Sequence, residues 1–436
     1  MSPFVAGLAG VFIFLVLLVL RMPIAIAMSL VGFAGCLYLV SPEAALRIVA
    51  KDLYSTFSSY SLSVIPMFVW MGFLAFHSGI GAKLYNFAYK LLGHLPGGLA
   101  VACQASCAIF GAVCGSNTAT AATMGAIAIP EMRKYDYDAS LATASVAAAG
   151  ALAVLIPPSV IFVVYGIATE QSIGKLFIAG ILPGILLTLL YMATVYLLAR
   201  RNPALAPAGT RAPRSEVLRS LAGGLPEVLI VFIISIGGLF AGWFTPTEAG
   251  AVGAFGVLVV SLVEGHLSWG GLRRSLRDTT RTTAMIMFLV GGATIFGRFI
   301  AISRIPFELA TWAAALPLPS YMIMGIILLI YLILGCFIDA LAMILLTIPI
   351  FYPVAVEVLG YDPIWFGVII VMTVAMGVIT PPVGMNVYII KGVARDIPLE
   401  VIFKGIWPFL IAILITCALL IAFPEIATFL PRFTSY

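Results

Sequence analysis

Charge is scarce in this chain. Asp, Glu, Lys and Arg make up 9% of its 436 residues, against about 25% in an average soluble domain, which excludes an ordinary water-solvated globule. Six cysteines (Cys36, Cys103, Cys107, Cys114, Cys336 and Cys417) all fall in apolar segments without a CxxC spacing, and the three histidines are scattered. This argues against a disulfide framework and against a zinc site. No G-x-x-x-x-G-K-[ST] run occurs, so the chain does not hydrolyse nucleotide through a P-loop, and any energy source is ionic or belongs to a partner. His-Glu-x-x-His and a paired intramembrane Asp motif are lacking too, which argues against an enzyme such as an intramembrane protease.

What is present is apolar: 62% of the residues are hydrophobic, in recurring runs long enough, at about 20 residues, to cross a bilayer. The runs that read as crossings are 4–20, 23–40, 62–79, 139–167, 178–199, 225–242, 248–264, 282–301, 362–392 and 406–424. Two further apolar stretches, 98–131 and 320–354, are interrupted at Gly115-Ser116-Asn117-Thr118 and at Gly335-Cys336-Phe337-Ile338-Asp339, and are read as re-entrant hairpins. The first run has no basic residue before it and Arg21 directly after it, the pattern of a spanning helix with its amino end outside, not of a removed signal. With that orientation 17 of the 23 Lys and Arg residues fall on the cytoplasmic side, the bias expected of a multi-pass protein. The net charge of +5 is accounted for in the same way and calls for no nucleic acid partner.

The two halves of the chain copy each other. YDASLATASVAAAGALAVLIPP begins at Tyr137 and YDPIWFGVIIVMTVAMGVITPP at Tyr361, so the Tyr-Asp pairs and the double prolines share an offset of 224 residues. Three crossings, a connector, a hairpin, a proline-broken crossing and one more crossing occur in the same order in 1–199 and 225–436, joined by an Arg-rich cytoplasmic linker at 200–224. On the charge map the second set is upside down. The expected fold is an all-α polytopic membrane protein of two inverted repeats, about 10 to 11 transmembrane helices plus two hairpins, with broken helices over 139–167 and 362–392.

Chemistry is expected where helices stop inside the bilayer, because backbone groups stranded there cost several kcal/mol each unless something satisfies them. The first tip offers carbonyls near Cys114-Gly115 and N–H groups near Ser116-Asn117-Thr118. Ile156-Pro157-Pro158-Ser159 and Thr380-Pro381-Pro382-Val383-Gly384 each remove two N–H donors and release carbonyls one turn earlier. Hard cations such as Na+ take oxygen ligands of that kind. Ser116, Asn117 and Ser159 would complete one shell, and Thr380, Asn386 and the Asp339 carboxylate the other; packing kinks are the alternative for each break. Asp339 reads as a Na+ ligand, a proton carrier or a structurally bonded Asp. Arg298 reads as a partner for a substrate carboxylate or as an arginine snorkelling to the outer interface, and Glu248 in FTPTEAG as a helix cap.

RMPIAIAMSLVG, IPMFVWMGFLAFHSGI, GSNTATAATMGAIAIPEM, IPPSVIFVVYG, GKLFIAGILPG, FTPTEAGAVGA, IDALAMILLTIPIFYPVA, DPIWFGV and ITPPVGMNVYI, in that order, resemble the large membrane subunit of the tripartite ATP-independent periplasmic (TRAP) transporters along nearly the whole chain. The resemblance implies an elevator-type secondary importer in a bacterial inner membrane. Such an importer takes a small organic acid, such as a C4-dicarboxylate or sugar acid, from a periplasmic binding protein, works with a small four-helix membrane subunit and couples entry to Na+. It places Na+ at Gly115, Ser116, Asn117, Pro157 and Ser159, and at Asp339, Thr380, Val383, Gly384 and Asn386. Thr118, Asn386 and Arg298 are the candidate substrate contacts, no organic cofactor is expected, and a self-sufficient divalent-anion:sodium symporter is the alternative.

Overall fold

The computed structural model describes residues 1–221 and 225–434. Residues 222–224 of the expected linker, and Ser435 and Tyr436 of the expected second repeat, lie outside the described residues. The first half runs α1 (Pro3–Val19), α2 (Ile24–Leu39), α3 (Pro42–Phe57), α4 (Val64–His77), α5 (Ile80–Leu92), α6 (Gly98–Cys114), α7 (Asn117–Lys134), α8 (Ala139–Leu155), α9 (Val160–Ala168) and α10 (Ile173–Arg201). A surface helix α11 (Arg214–Leu221) precedes α12 (Leu225–Phe232), which passes through a π-turn at Ile233–Gly237 into α13 (Gly238–Phe240). The second half continues with α14 (Pro246–Val263), α15 (Trp269–Ile302), α16 (Ile305–Ala315), α17 (Ser320–Gly335), α18 (Ala340–Tyr352), α19 (Pro363–Gly377), α20 (Met385–Val393), α21 (Leu399–Ala422) and α22 (Glu425–Thr428).

Among the described residues seven stretches are long and apolar enough to cross a membrane: Tyr60–His77, Ala139–Ala168, Ile173–Arg201, Pro246–Val263, Trp269–Ile302, Ala340–Val358 and Leu399–Ala422. Among the ten runs read as crossings, those at 4–20, 23–40, 225–242 and 362–392 hold only shorter apolar helices, while Ala340–Val358 lies in the stretch read as the second hairpin; α1 and α2 are 17 and 16 residues long. At 1.5 Å per residue such helices reach about 25 Å. Both interrupted stretches fold back as anticipated, α6 turning into α7 at Gly115–Ser116 and α17 into α18 at Cys336–Asp339. The helix α3 is an addition that the sequence reading passed over. Only Ala45 is buried in it, and Arg47, Lys51 and Asp52 interleave with its apolar residues.

Local chemistry explains where these helices begin. The repeated Tyr-Asp pairs are N-caps: Asp138 accepts from the Leu141 N–H at 3.0 Å and Asp362 from the Trp365 N–H at 2.8 Å. Glu248 forms a capping box with Thr245, each side chain accepting from the other's backbone N–H. Helices α8 and α19 are apolar all round and are buried on every face from Leu141 to Leu155 and from Ile364 to Gly377. They form the centre of the molecule, and the two hairpins pack on them.

Around this centre stands a frame in which α2 lies along α15 and α14 along α4. Gly32 and Gly292 let α2 and α15 meet backbone to backbone: a Cβ on Gly32 would sit 2.7 Å from the Phe296 nitrogen, and one on Gly292 2.5 Å from the Ala25 carbonyl oxygen. Gly32→Leu therefore forces the two helices apart. The expected loss is about 1–3 kcal/mol, read as a lower midpoint of thermally induced aggregation for the purified variant; an unchanged midpoint would refute the close contact.

Candidate functional site

The first hairpin straddles α8. Gly111 of α6 lies against Ala153, where an added Cβ would come within 2.8 Å, and on the other arm Ala121 of α7 lies against Gly150, at 2.7 Å for an added Cβ. At the tip Gly115 takes a left-handed φ of 62° with the Pro158 carbonyl oxygen 2.5 Å from its would-be Cβ, so only glycine fits. The tip of the first hairpin and the break in α8 are thus one locus. Across from it, Gly72 of α4 leaves room for the Cys114 carbonyl.

Oxygen dominates this locus. The last helical bond of α8 is Ile156 N–H to Leu152 O; Pro157 and Pro158 have no N–H, and among the described residues no donor reaches the carbonyls of Ala153, Val154 or Leu155. The Leu155 carbonyl faces Gly180 of α10. Helix α6 ends in the same way, with Gly115 N–H on Gly111 O and, among the described residues, no donor for the Ala112, Val113 and Cys114 carbonyls. Among the described residues the hydroxyl of Ser159, 1% exposed, has no hydrogen-bond partner, and that of Thr120, fully buried, faces only the Cys114 thiol, a weak partner. Ser116 caps α7, its Oγ accepting from the Ala119 N–H at 3.3 Å and lying 3.1 Å from Thr118 Oγ1. Buried oxygens left without donors are expensive, and a desolvated cation is what such a set satisfies.

The second locus is closed more tightly. Gly377 of α19 meets Gly335 of α17 with an added Cβ at 2.8 Å from backbone atoms. The final carbonyls of α19 are taken up by a tightened turn, Val378, Ile379 and Thr380 donating to Val374, Met376 and Gly377, while the Asn386 N–H reaches back to Val378 O at 3.0 Å. Thr380 Oγ1 donates to Met376 O at 2.6 Å. Asp339 is the N-cap of α18, one carboxylate oxygen accepting from the Leu341 N–H at 3.1 Å. Val383 is exposed on the turn and Gly384 holds a left-handed φ of 59° before α20. Both breaks contain a cis X-Pro bond, Pro157–Pro158 and Pro381–Pro382.

Asn386 joins the two loci. Fully buried, its amide donates to Ala147 O in the middle of α8 at 3.0 Å and accepts from Asn117 Nδ2 at 3.4 Å. Each outgoing hairpin arm also packs on the other half's post-break helix, α7 on α20 and α18 on α9. Gly115, Ser116, Asn117, Pro157 and Ser159 are therefore gathered together, Asn386 bridges to them, and Asp339, Thr380, Val383 and Gly384 belong to the second tip and break. Arg298 stands outside this group: its guanidinium donates twice to Asp52 of α3, Nε at 2.6 Å and Nη2 at 2.9 Å. A cavity of ≈ 680 Å³ lies among α3, α9, α15 and α18, with Glu170 and Gln171 also in its lining, while α15 and α18 touch beside it. The sequence reading missed Thr120 and the cavity; the Thr-x-Thr-x-x-Thr run at 118–123 was the available signal for the former.

Crossed hairpins on broken helices, held in a frame of membrane-length helices, define a multi-pass transporter-type membrane protein. The chain belongs to the family described as tripartite ATP-independent periplasmic transporter, DctM component, which matches residues 11–426. It is 37% identical to the C4-dicarboxylate TRAP transporter large permease protein DctM of Pseudomonas aeruginosa over 92% of this chain and 93% of that protein. The sialic acid TRAP transporter large permease protein SiaM of Vibrio cholerae is 33% identical, with coverage of 97% and 98%, and the ectoine/5-hydroxyectoine large permease protein UehC of Ruegeria pomeroyi 34%, with 95% and 96%. In fold the chain is similar to the YdaH transporter of Alcanivorax borkumensis, at a TM-score of 0.64 and 16% identity, covering 92% of this chain and 99% of that one.

Asn386 gives a direct test of the bridge. Asn386→Ala removes a buried donor and acceptor and leaves the Asn117 amide without its partner, a loss of about 1–3 kcal/mol. It is expected as a drop in the thermal midpoint of the purified protein, with Asn117→Ala producing little further loss in the double variant; additive losses would show that the two amides act separately.

Proposed function

We propose that the chain is the transporting membrane subunit of an Na+-coupled importer for a small organic acid, a carboxylate such as a C4-dicarboxylate or a sugar acid. The acid is handed over by a periplasmic binding protein, and a small four-helix membrane subunit completes the complex in the bacterial inner membrane. The observation that carries this reading is the pocket of donor-poor oxygen at the first tip: free carbonyls of α6 and α8, the Pro158 carbonyl, and the unpartnered hydroxyl of Ser159. Relatives that carry C4-dicarboxylates and sialic acid by name support the substrate class.

In this reading Na+ binds first among the oxygens of Gly115, Ser116, Asn117, Pro157 and Ser159. A second ion uses the Asp339 carboxylate and the turn from Thr380 through Val383 and Gly384 to Asn386, and Thr118 and Asn386 face the substrate. The two halves are inverted repeats, 1–199 and 225–436 about the linker 200–224. The block made of α6–α9 and α17–α20 moves as an elevator against the frame. Each charge carried inward across 100 mV supplies about 2.3 kcal/mol, and a tenfold gradient of acid needs about 1.4 kcal/mol. Two Na+ entering with a monoanionic acid therefore bring one net positive charge and sustain well over a tenfold accumulation, whereas with a dianion the cycle is neutral and is driven by the Na+ gradient alone.

Two measurements test the proposal. Purified protein heated in NaCl is expected to unfold at a higher temperature than in choline chloride. Ser159→Ala is expected to erase that difference without lowering the choline midpoint, whereas Ser116→Ala erases it and also lowers the choline midpoint through loss of the α7 cap; a sodium effect that survives both removes this site. In proteoliposomes holding the chain and its small subunit, uptake of acid is expected to need both an inward Na+ gradient and the binding protein. Uptake without the binding protein would identify a self-sufficient anion symporter instead.

A further inference from the structure

The two halves of the chain are closed off differently. After α10, residues 202–209 fold back over the start of α8 and are tied down there. Asp138 N–H donates to Leu205 O at 2.9 Å, Gly97 N–H to Ala206 O at 3.2 Å, Gly209 N–H to Gly93 O at 2.9 Å, and the Tyr137 hydroxyl to Pro207 O at 3.1 Å. After α21 the matching segment consists of α22 and a 3-10 turn at Leu430–Phe433, which lie against α10, with α22 also on α19. Among the described residues no hydrogen bond joins 424–434 to a residue before Phe423; every bond it makes is local.

A cavity of ≈ 440 Å³ stands where those ties would be, lined by Lys175 of α10, by the α19 cap Asp362, and by Thr428 and Arg432 of the closing segment. Among the described residues neither Lys175 nor Arg432 is in an ion pair. Asp362 has one oxygen committed to the Trp365 N–H, so two cations and one carboxylate leave the lining with one net positive charge. Beside the lining residues in sequence stand three phenylalanines, Phe423, Phe429 and Phe433, which are 55%, 48% and 74% exposed, the last two with ring centroids 5.0 Å apart. On the charge map of the sequence this end of the molecule faces outward. Exposed aromatic rings next to free cations at the end of a membrane-length helix fit the boundary where hydrocarbon gives way to phosphate.

We propose that this cavity holds the headgroup of an anionic phospholipid carrying a single phosphodiester charge, of the phosphatidylglycerol type. Arg432 receives the phosphate through its planar fork and Lys175 as a point charge. Thr428 Oγ1 and the Asp362 carboxylate are acceptors for the headgroup's hydroxyls, and the acyl chains lie over Phe423, Phe429 and Phe433. The lipid thereby supplies between the closing segment, α10 and α19 the tie that the first half makes with its own backbone. An acidic side chain of a partner protein would meet the same two cations but would leave the three rings uncovered, which favours the lipid.

Thermal unfolding of the full-length purified chain in dodecyl maltoside tests the site, with dioleoylphosphatidylglycerol, dioleoylphosphatidylcholine or soluble glycerol 3-phosphate added. Phosphatidylglycerol is expected to raise the midpoint at concentrations where the other two do not. Lys175→Gln and Arg432→Gln are each expected to raise the lipid concentration needed for half of that shift about fivefold, the worth of one cation at a headgroup. The double variant is expected to raise it about twentyfold or more, with a lipid-free midpoint equal to that of the wild type. Arg432→Lys, which keeps the charge and loses the fork, is expected to fall between Arg432→Gln and the wild type. No wild-type response to phosphatidylglycerol, an equal response in the double variant, or an equal shift with phosphatidylcholine overturns the site. A glycerol 3-phosphate shift as large as that of phosphatidylglycerol overturns the lipid in favour of a soluble phosphate. An unchanged lipid response in the double variant, joined to weaker capture of a periplasmic binding protein, overturns it in favour of that partner.

Discussion

Unpaired main-chain oxygen inside an apolar body is the constraint around which this molecule is arranged. Two consecutive prolines end α8 and leave three carbonyls with no donor among the described residues, and α6 stops beside them with three more. Such groups persist only where surrounding packing leaves the chain no other course. Here the packing is supplied by glycines and alanines. Gly111, Gly115 and Gly150 bring two hairpin arms and a tip directly onto the α8 backbone, and the caps at Ser116 and Asp138 fix where α7 and α8 begin.

The two loci solve the same problem differently. The first leaves its oxygens open, whereas the second closes most of them through a tightened turn and the returning Asn386 N–H. Asn386 also reaches into the first locus through its side chain. Order in the open pocket therefore depends on the closed one. With α7 lying on α20 and α18 on α9, neither hairpin has a neighbourhood made only from its own half.

Much of the fold could be read from residue order. The matched Tyr-Asp and Pro-Pro pairs marked the beginnings and the breaks of α8 and α19, because capping and the loss of an N–H are local effects that a few neighbouring residues decide. Glu248 was legible for the same reason. The tip at Gly115–Ser116 was visible as polar residues in an apolar run. What stayed hidden depends on distant parts of the chain. Nothing near Asn386 indicates a partner at Ala147, 239 residues away, and nothing near Arg298 indicates Asp52, 246 residues away. Asp339 was legible as an out-of-place carboxylate, but its service as the cap of α18 needed the turn geometry. Helix α3 escaped notice because its charges break the apolar run on which crossings are recognised.

The halves also differ in one mechanical respect. In the second half, α15 is a single rod of 34 residues that starts in an arginine-rich segment and carries on unbroken to Ile302. In the first half the corresponding stretch is divided, α3 stopping at Phe57 and α4 starting at Val64 after a short 3-10 turn at Tyr60–Ser63. A beam faces an elbow. The change of direction in the first half falls at Ser58 and Ser59, beside the cavity wall, whereas the opposite support runs its whole length without a turn.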